Sequence, residues 1–163
     1  MRKDASEVLS LPLMESGRYA GTGSCVYGGA VLPLTANFRV LRQTGQLRIS
    51  GYGQAGDGEK HDFRLRLLFA TSILTGGRFE YGDDRFRQLA GTLAWADDCY
   101  VMAGHCYAPN ASVSIFLQPG DADNRYTLRG MLSPAQGEPS TFALNLAQYD
   151  PRARLKTDFL QSS

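Results

Sequence analysis

The stretch QLAGTLAWADDCYVMAGHCY, residues 88–107, reads as two strands folded about Asp97-Asp98. With those aspartates at the centre of a tight turn, Ala96 faces Cys99, Trp95 faces Tyr100, Leu93 faces Met102 and Gly91 faces Gly104. Successive side chains of a strand point to opposite faces. One face then carries Leu89, Leu93, Trp95, Tyr100, Met102 and Cys106, a set suited to a core. The other carries Ala90, Thr92, Ala94, Cys99, Val101, Ala103 and His105.

This register decides against the metal site that the cysteines and histidine first suggest. Cys99 and His105 share a face but stand about 20 Å apart along an extended strand, and an ion with bonds near ~2 Å cannot reach both. Cys106 adjoins His105 but points the other way. A Cys99–Cys106 disulfide fails on the same distance, because bridged Cα atoms lie within about 7 Å. Cys25 alone is left to approach either one from another strand. No metal ligands are assigned. His105 has no neighbouring serine or carboxylate in the sequence from which to build a triad. Asp83-Asp84, Asp97-Asp98 and Asp121/Asp123 read as turn residues without calcium-loop spacing, so no catalytic residue is assigned.

The same alternation runs outward through the chain. Phe63, Leu65, Leu67 and Phe69 oppose Arg64 and Arg66; Phe38 and Val40 oppose Arg39; Leu47 and Ile49 oppose Arg48 and Ser50. Val113, Ile115 and Leu117 alternate with polar neighbours, as do Tyr126, Leu128 and Leu132, and Phe142, Leu144 and Leu146. Eight to ten strands are predicted, over 17–27, 35–42, 46–53, 62–70, 78–81, 86–95, 99–107, 112–118, 125–132 and 140–148. Turns fall at Gln43 to Gln46, Gly56-Asp57-Gly58, Gly76-Gly77 and Pro119 to Asn124. Short connections make neighbours antiparallel, and a strongly twisted sheet of that many strands closes to remove its edges. The expected fold is all-β, a single up-and-down barrel, with a two-sheet sandwich as the alternative. One domain is expected over residues 1–163, with a core at about 16–149, an arm 1–15 and a tail 150–163. In the tail, Leu155 and Phe159 are spaced for a short helix.

Composition bounds the partners. Of the 163 residues, 43% are hydrophobic and 20% charged, which is globular. Lys+Arg total 17 against 16 Asp+Glu, for a formal charge of +1. That balance gives no global attraction to nucleic acid or an anionic membrane. No apolar run is long enough to span a bilayer. The start, MRKDASEVLSLPLMES, is broken by Pro12 and by acids and makes a poor signal peptide. With 3 cysteines, an odd number, a cytoplasmic setting is expected rather than a secreted disulfide scaffold.

Gly21, Gly23, Gly51, Gly91, Gly104 and Gly130 fall by parity on the inner face, where a strand glycine is costly. They either bend the strands or leave room for a ligand. In the second case the phenols of Tyr19, Tyr27, Tyr100 and Tyr126 and the Trp95 indole would be polar handles in an apolar lining. The small-residue outer face of Ala90, Thr92, Ala94, Val101 and Ala103 points to a cover, either the tail or a second subunit, with a homodimer favoured.

GRYAGTGS, Gly17 to Ser24, resembles the opening strand of calycin-type barrels, the lipocalins and fatty-acid-binding proteins among them. Its Gly17-x-Tyr19-x-Gly21-x-Gly23 spacing is similar to the Gly-x-Trp-x-Gly-x-Gly opening of nitrobindin-like haem barrels, with tyrosine in place of tryptophan. The resemblance implies a barrel that holds a ligand. Those barrels hold haem iron through a late histidine; none follows His105 here, and no cofactor is assigned. The expected function is non-catalytic binding of a small, largely apolar molecule within the barrel, at Tyr19, Gly21, Gly23, Trp95, Tyr100 and Tyr126. The alternatives are an isomerase or cyclase on the same barrel, and a filled structural or adaptor barrel acting through its outer face.

Overall fold

A computed structural model describes residues 14–69, 76–84, 88–107, 110–122 and 124–150. Ten strands follow one another: β1 (Gly17–Tyr27), β2 (Ala30–Gln43), β3 (Gln46–Ala55), β4 (His61–Phe69), β5 (Gly77–Asp83), β6 (Leu89–Ala96), β7 (Cys99–Tyr107), β8 (Asn110–Pro119), β9 (Arg125–Pro134) and β10 (Ser140–Tyr149). Each pairs antiparallel with the next, and β1 closes on β10, so the sheet is a closed up-and-down barrel. The sandwich alternative is thereby excluded. The described residues contain no helix, and the tail helix expected beyond Asp150 lies outside them. No helix of the described residues is long and apolar enough to cross a membrane.

The β6–β7 register is the one the turn dictates: Ala96 opposite Cys99, Trp95 opposite Tyr100, Leu93 opposite Met102 and Gly91 opposite Gly104. Asp97 and Asp98 both take positive φ, 53° and 58°. These values match the two-residue turn whose twist suits a hairpin, adopted here without its preferred glycine.

One strand differs from expectation. β2 begins at Ala30, not near residue 35, after a Gly28-Gly29 turn with φ of 59° and 78°. Pro33 lies within the added part. It is tolerated because β2 overshoots its neighbour, its last β3 partner being Leu34 opposite Ala55. The Pro33 carbonyl accepts the Gly56 N–H at 2.7 Å, so its missing N–H faces that same strand end, where no ladder bond is lost. β1 and β2 therefore form a hairpin that runs past the rim. Its tip carries Val26, Tyr27 and Val31, which are 37%, 60% and 71% exposed. Tyr27 is thus a tip residue and not part of any inner lining.

Alternation fills the interior. Tyr19, Phe38, Val40, Leu47, Leu67, Phe79, Leu93, Tyr100, Met102, Ile115, Leu144 and Leu146 form one buried cluster, which contains no charged residue.

Candidate ligand-binding site

Four of the six inner residues singled out from the sequence meet at one end of the barrel. Arg42, Gln46, Tyr100, Tyr126 and Gln148 mark this end, where β1, β3, β5, β7 and β9 begin. Tyr19 packs edge-on to Tyr126 with ring centroids 6.1 Å apart, and stacks on Phe38 at 5.6 Å. Trp95 sits edge-on to Tyr100 at 4.5 Å, with Phe69 behind it at 6.1 Å. Cross-strand pairing places Trp95 and Tyr100, and the β8–β9 pairing brings Tyr126 toward them.

Residues 14–16 close this end, although the sequence had placed them at or before the edge of the core. Met14 is 1% exposed, packed among the inner side chains. The Tyr19 hydroxyl donates to the Glu15 carbonyl at 2.8 Å, the Arg42 backbone N–H donates to Ser16 Oγ at 2.8 Å, and Gln148 Nε2 donates to the Ser16 carbonyl at 3.2 Å. Arg42 Nη1 meets Glu15 Oε1 at 3.2 Å. The pair is partly exposed, so it orients the segment more than it stabilises the fold. Neither Met14 nor Arg42 stood out in the sequence. The inward parity of Arg42, two residues after Val40, was the signal that would have revealed it.

The tyrosines carry a second feature. Among the described residues, the Tyr100 hydroxyl is the one buried side-chain polar atom without a hydrogen-bond partner. Burial pushes its pKa up, Tyr126 adds to the rise and the Arg42 charge opposes it. Burial likewise raises Tyr19, with help from Tyr126 and Glu15. It raises Tyr126 too, with help from Glu15 and against Arg42. All three phenols therefore stay protonated at neutral pH; the Tyr19 proton is already given to the Glu15 carbonyl, which leaves Tyr100 and Tyr126 as donors to a ligand. Together with Arg42 they suit an oxygen acceptor attached to an apolar body.

The glycines separate from this cluster. A Cβ at Gly21 would lie 2.6 Å from a Leu146 methyl, one at Gly104 2.6 Å from the Phe79 ring, and one at Gly130 against the Phe142 ring. At Gly23 and Gly91 it would strike the Ala143 and Ala103 carbonyl oxygens of the adjoining strands. At these positions the space freed by glycine is taken up by neighbouring chain, as strand bending requires. A Gly23→Leu change would therefore strain the barrel wall itself.

At the opposite end the inner side chains of Cys25, Leu34, Phe63, Tyr81, Leu132 and Phe142 are only half-buried. Its rim carries the His61–Asp84 pair at 2.7 Å and a Tyr81–Asp83 hydrogen bond of 2.7 Å. All three cysteines are free: Cys25 and Cys106 face inward and Cys99 outward. Burial raises the Cys99 thiol pKa, with Arg129 opposing. Among the described residues no three His, Cys, Asp or Glu side chains group as metal ligands would. His105 lies half-buried on the outer wall, its Nδ1 3.4 Å from Ser112 Oγ, a neighbour supplied by the β7–β8 register.

No family model matches the chain, and no curated sequence does. The fold does have a solved counterpart. The S-type phycobiliprotein lyase from Guillardia theta superposes with a TM-score of 0.63 at 11% identity, over 91% of this chain and 94% of that one. At that identity the likeness is one of fold: this chain shares the barrel of a phycobiliprotein lyase.

Proposed function

We propose that the barrel binds a small, largely apolar molecule at its tyrosine-lined end, without catalysis. The observation that carries this reading is the unpartnered Tyr100 hydroxyl, 3% exposed as a residue, among Tyr19, Trp95 and Tyr126. A buried hydroxyl without a partner costs about 1–3 kcal/mol, a cost that a ligand oxygen would offset. Arg42, paired with Glu15 at the same end, opposes the pKa rise at both Tyr100 and Tyr126, and a ligand with a carbonyl or carboxylate as its polar head fits that arrangement. A structural counterpart that is a phycobiliprotein lyase supports a barrel suited to handling small molecules.

Native mass spectrometry of the freshly purified protein, with an absorbance scan, tests this. A co-purifying small mass that is lost in Tyr100→Phe supports the reading. A bare chain that no carboxylate- or carbonyl-bearing apolar compound stabilises on heating overturns it.

The outer wall of β6 and β7 supports a partner of a different kind. Ala90, Thr92, Ala94 and Ala103 are exposed and Val101 is half-buried. The surface continues to Phe116 and Met131, 39% and 44% exposed, around a depression of about 370 Å³. We infer a homodimer through this wall, whose centre on β6 and β7 carries no Asp, Glu, Lys or Arg, with Arg78, Glu80 and Arg129 at its margins. Sedimentation at micromolar concentration reads it: a dimer that Phe116→Glu dissociates supports it, and a monomer refutes it.

A further inference from the structure

The wall formed by β1 to β4 has the opposite character. Arg18 stands directly opposite Arg39, and Arg48 directly opposite Arg66, with Arg64 two residues before Arg66 on the same face. All five are exposed. Like charges opposed across a ladder are destabilising, and net charge gives no reason for them in a chain at +1. Glu80 of β5 holds Arg66. Among the described residues Arg18, Arg39, Arg48 and Arg64 form no ion pair.

Within this field lies an exposed apolar side chain. Leu41 is 44% exposed, two residues from Arg39 and directly opposite Arg48. Beside it a depression of about 450 Å³ is bounded by Arg18, Arg39, Leu41 and Tyr149, with Asp150 at its rim. We propose that this wall docks an acidic protein segment that carries an apolar side chain. The carboxylates of the segment pair with the opposed arginines, and its apolar residue packs on Leu41 in the depression. Guanidinium forks suit carboxylates and phosphates alike; Leu41 selects between them. A phosphate backbone offers nothing to an exposed leucine, whereas a protein interface combines arginine with an apolar centre and is depleted in lysine. The basic groups here are all arginine, the nearest described lysine being Lys60 in the β3–β4 turn.

The test uses the full chain and a labelled synthetic peptide rich in Asp and Glu with leucine at every fourth position. A serine-substituted version, a single-stranded DNA of about 20 nucleotides and anionic vesicles are run in parallel. Binding of the leucine peptide should weaken with salt and fall about tenfold or more in an Arg39→Glu, Arg48→Glu double variant. Leu41→Ser should weaken the leucine peptide several-fold and leave the serine peptide unchanged. Circular dichroism confirms the fold of each variant, and Arg39→Lys should retain salt-sensitive binding. DNA or vesicles binding as tightly as the peptide, with no effect of Leu41→Ser, would overturn the proposal. So would peptide binding that survives the charge reversal, or no binding of the peptide at low salt.

Discussion

Replacing Tyr100 with phenylalanine should move stability and ligand affinity in opposite directions. The ring is held by Trp95 at 4.5 Å and Phe69 at 6.1 Å, contacts that phenylalanine keeps. Only the hydroxyl is lost, and it has no hydrogen-bond partner. Relieving that desolvated group should stabilise the ligand-free protein by about 1–3 kcal/mol. For a chain of this size each kcal/mol moves Tm by roughly 2–4 °C, so a rise of several degrees is expected. Urea unfolding of ligand-stripped protein should show a higher midpoint with an unchanged slope. Ligand affinity, by contrast, should fall about tenfold, the equivalent of one hydrogen bond near 1.4 kcal/mol. A lower midpoint in the stripped variant would refute the reasoning, because the hydroxyl would then already be satisfied in the free protein.

Four other outcomes are expected. Tyr19, Tyr100 and Tyr126 hold their protons more tightly folded than unfolded. Stability is therefore full below pH ~10 and falls as pH rises beyond it, by up to about 1.4 kcal/mol per unit for each tyrosine. Urea midpoints measured on both sides of that pH check this, and Tyr126→Phe should flatten the fall. Gly91→Ala, which drives a methyl into the Ala103 carbonyl and the Gly104 backbone, should cost about 1–3 kcal/mol in chemical denaturation; a neutral effect would contradict the close approach. Asp98→Gly, relieving a φ of 58°, should add about 1 kcal/mol, since left-handed backbone is unfavourable to most residues. Met14→Ala should cost about 2–5 kcal/mol, and a change near zero by calorimetry would show that residue 14 is no part of the core.

The barrel was legible because its signal is local and repeated. Alternation in segments such as Phe63 to Phe69 fixes which face is buried, and the Asp97-Asp98 turn fixes a register that the structure reproduces pair by pair. Closure between β1 and β10 followed only from the general cost of open edges. β2 was cut short at its start, because how far a strand overshoots depends on its neighbours, here β3 ending at Ala55 opposite Leu34 while β1 pairs on to Ala30. The site was legible in part for a similar reason. Parity placed Tyr19, Trp95, Tyr100 and Tyr126 inside, but their convergence at one end depends on strand stagger around the barrel, which no single segment encodes. The glycines left two readings open, bending or room for a ligand, because a missing side chain in sequence does not say whether the adjoining strand, here through Ala143 or Ala103, has moved into the gap.

The seam between β1 and β10 also governs how the chain must be made. Arg18 to Val26 find their second set of partners in Thr141 to Tyr149, so more than a hundred residues are synthesised before the first strand can be covered on that side. Until then the growing sheet has two open edges. One is the fixed edge of β1, and the other advances with each new strand, ready to pair with any exposed strand nearby. Because those contacts are the most distant in sequence, closure should be the slow step of folding. A ribosome-stalled chain ending before Ser140 should aggregate or recruit chaperones, whereas the complete barrel leaves no edge for them to hold.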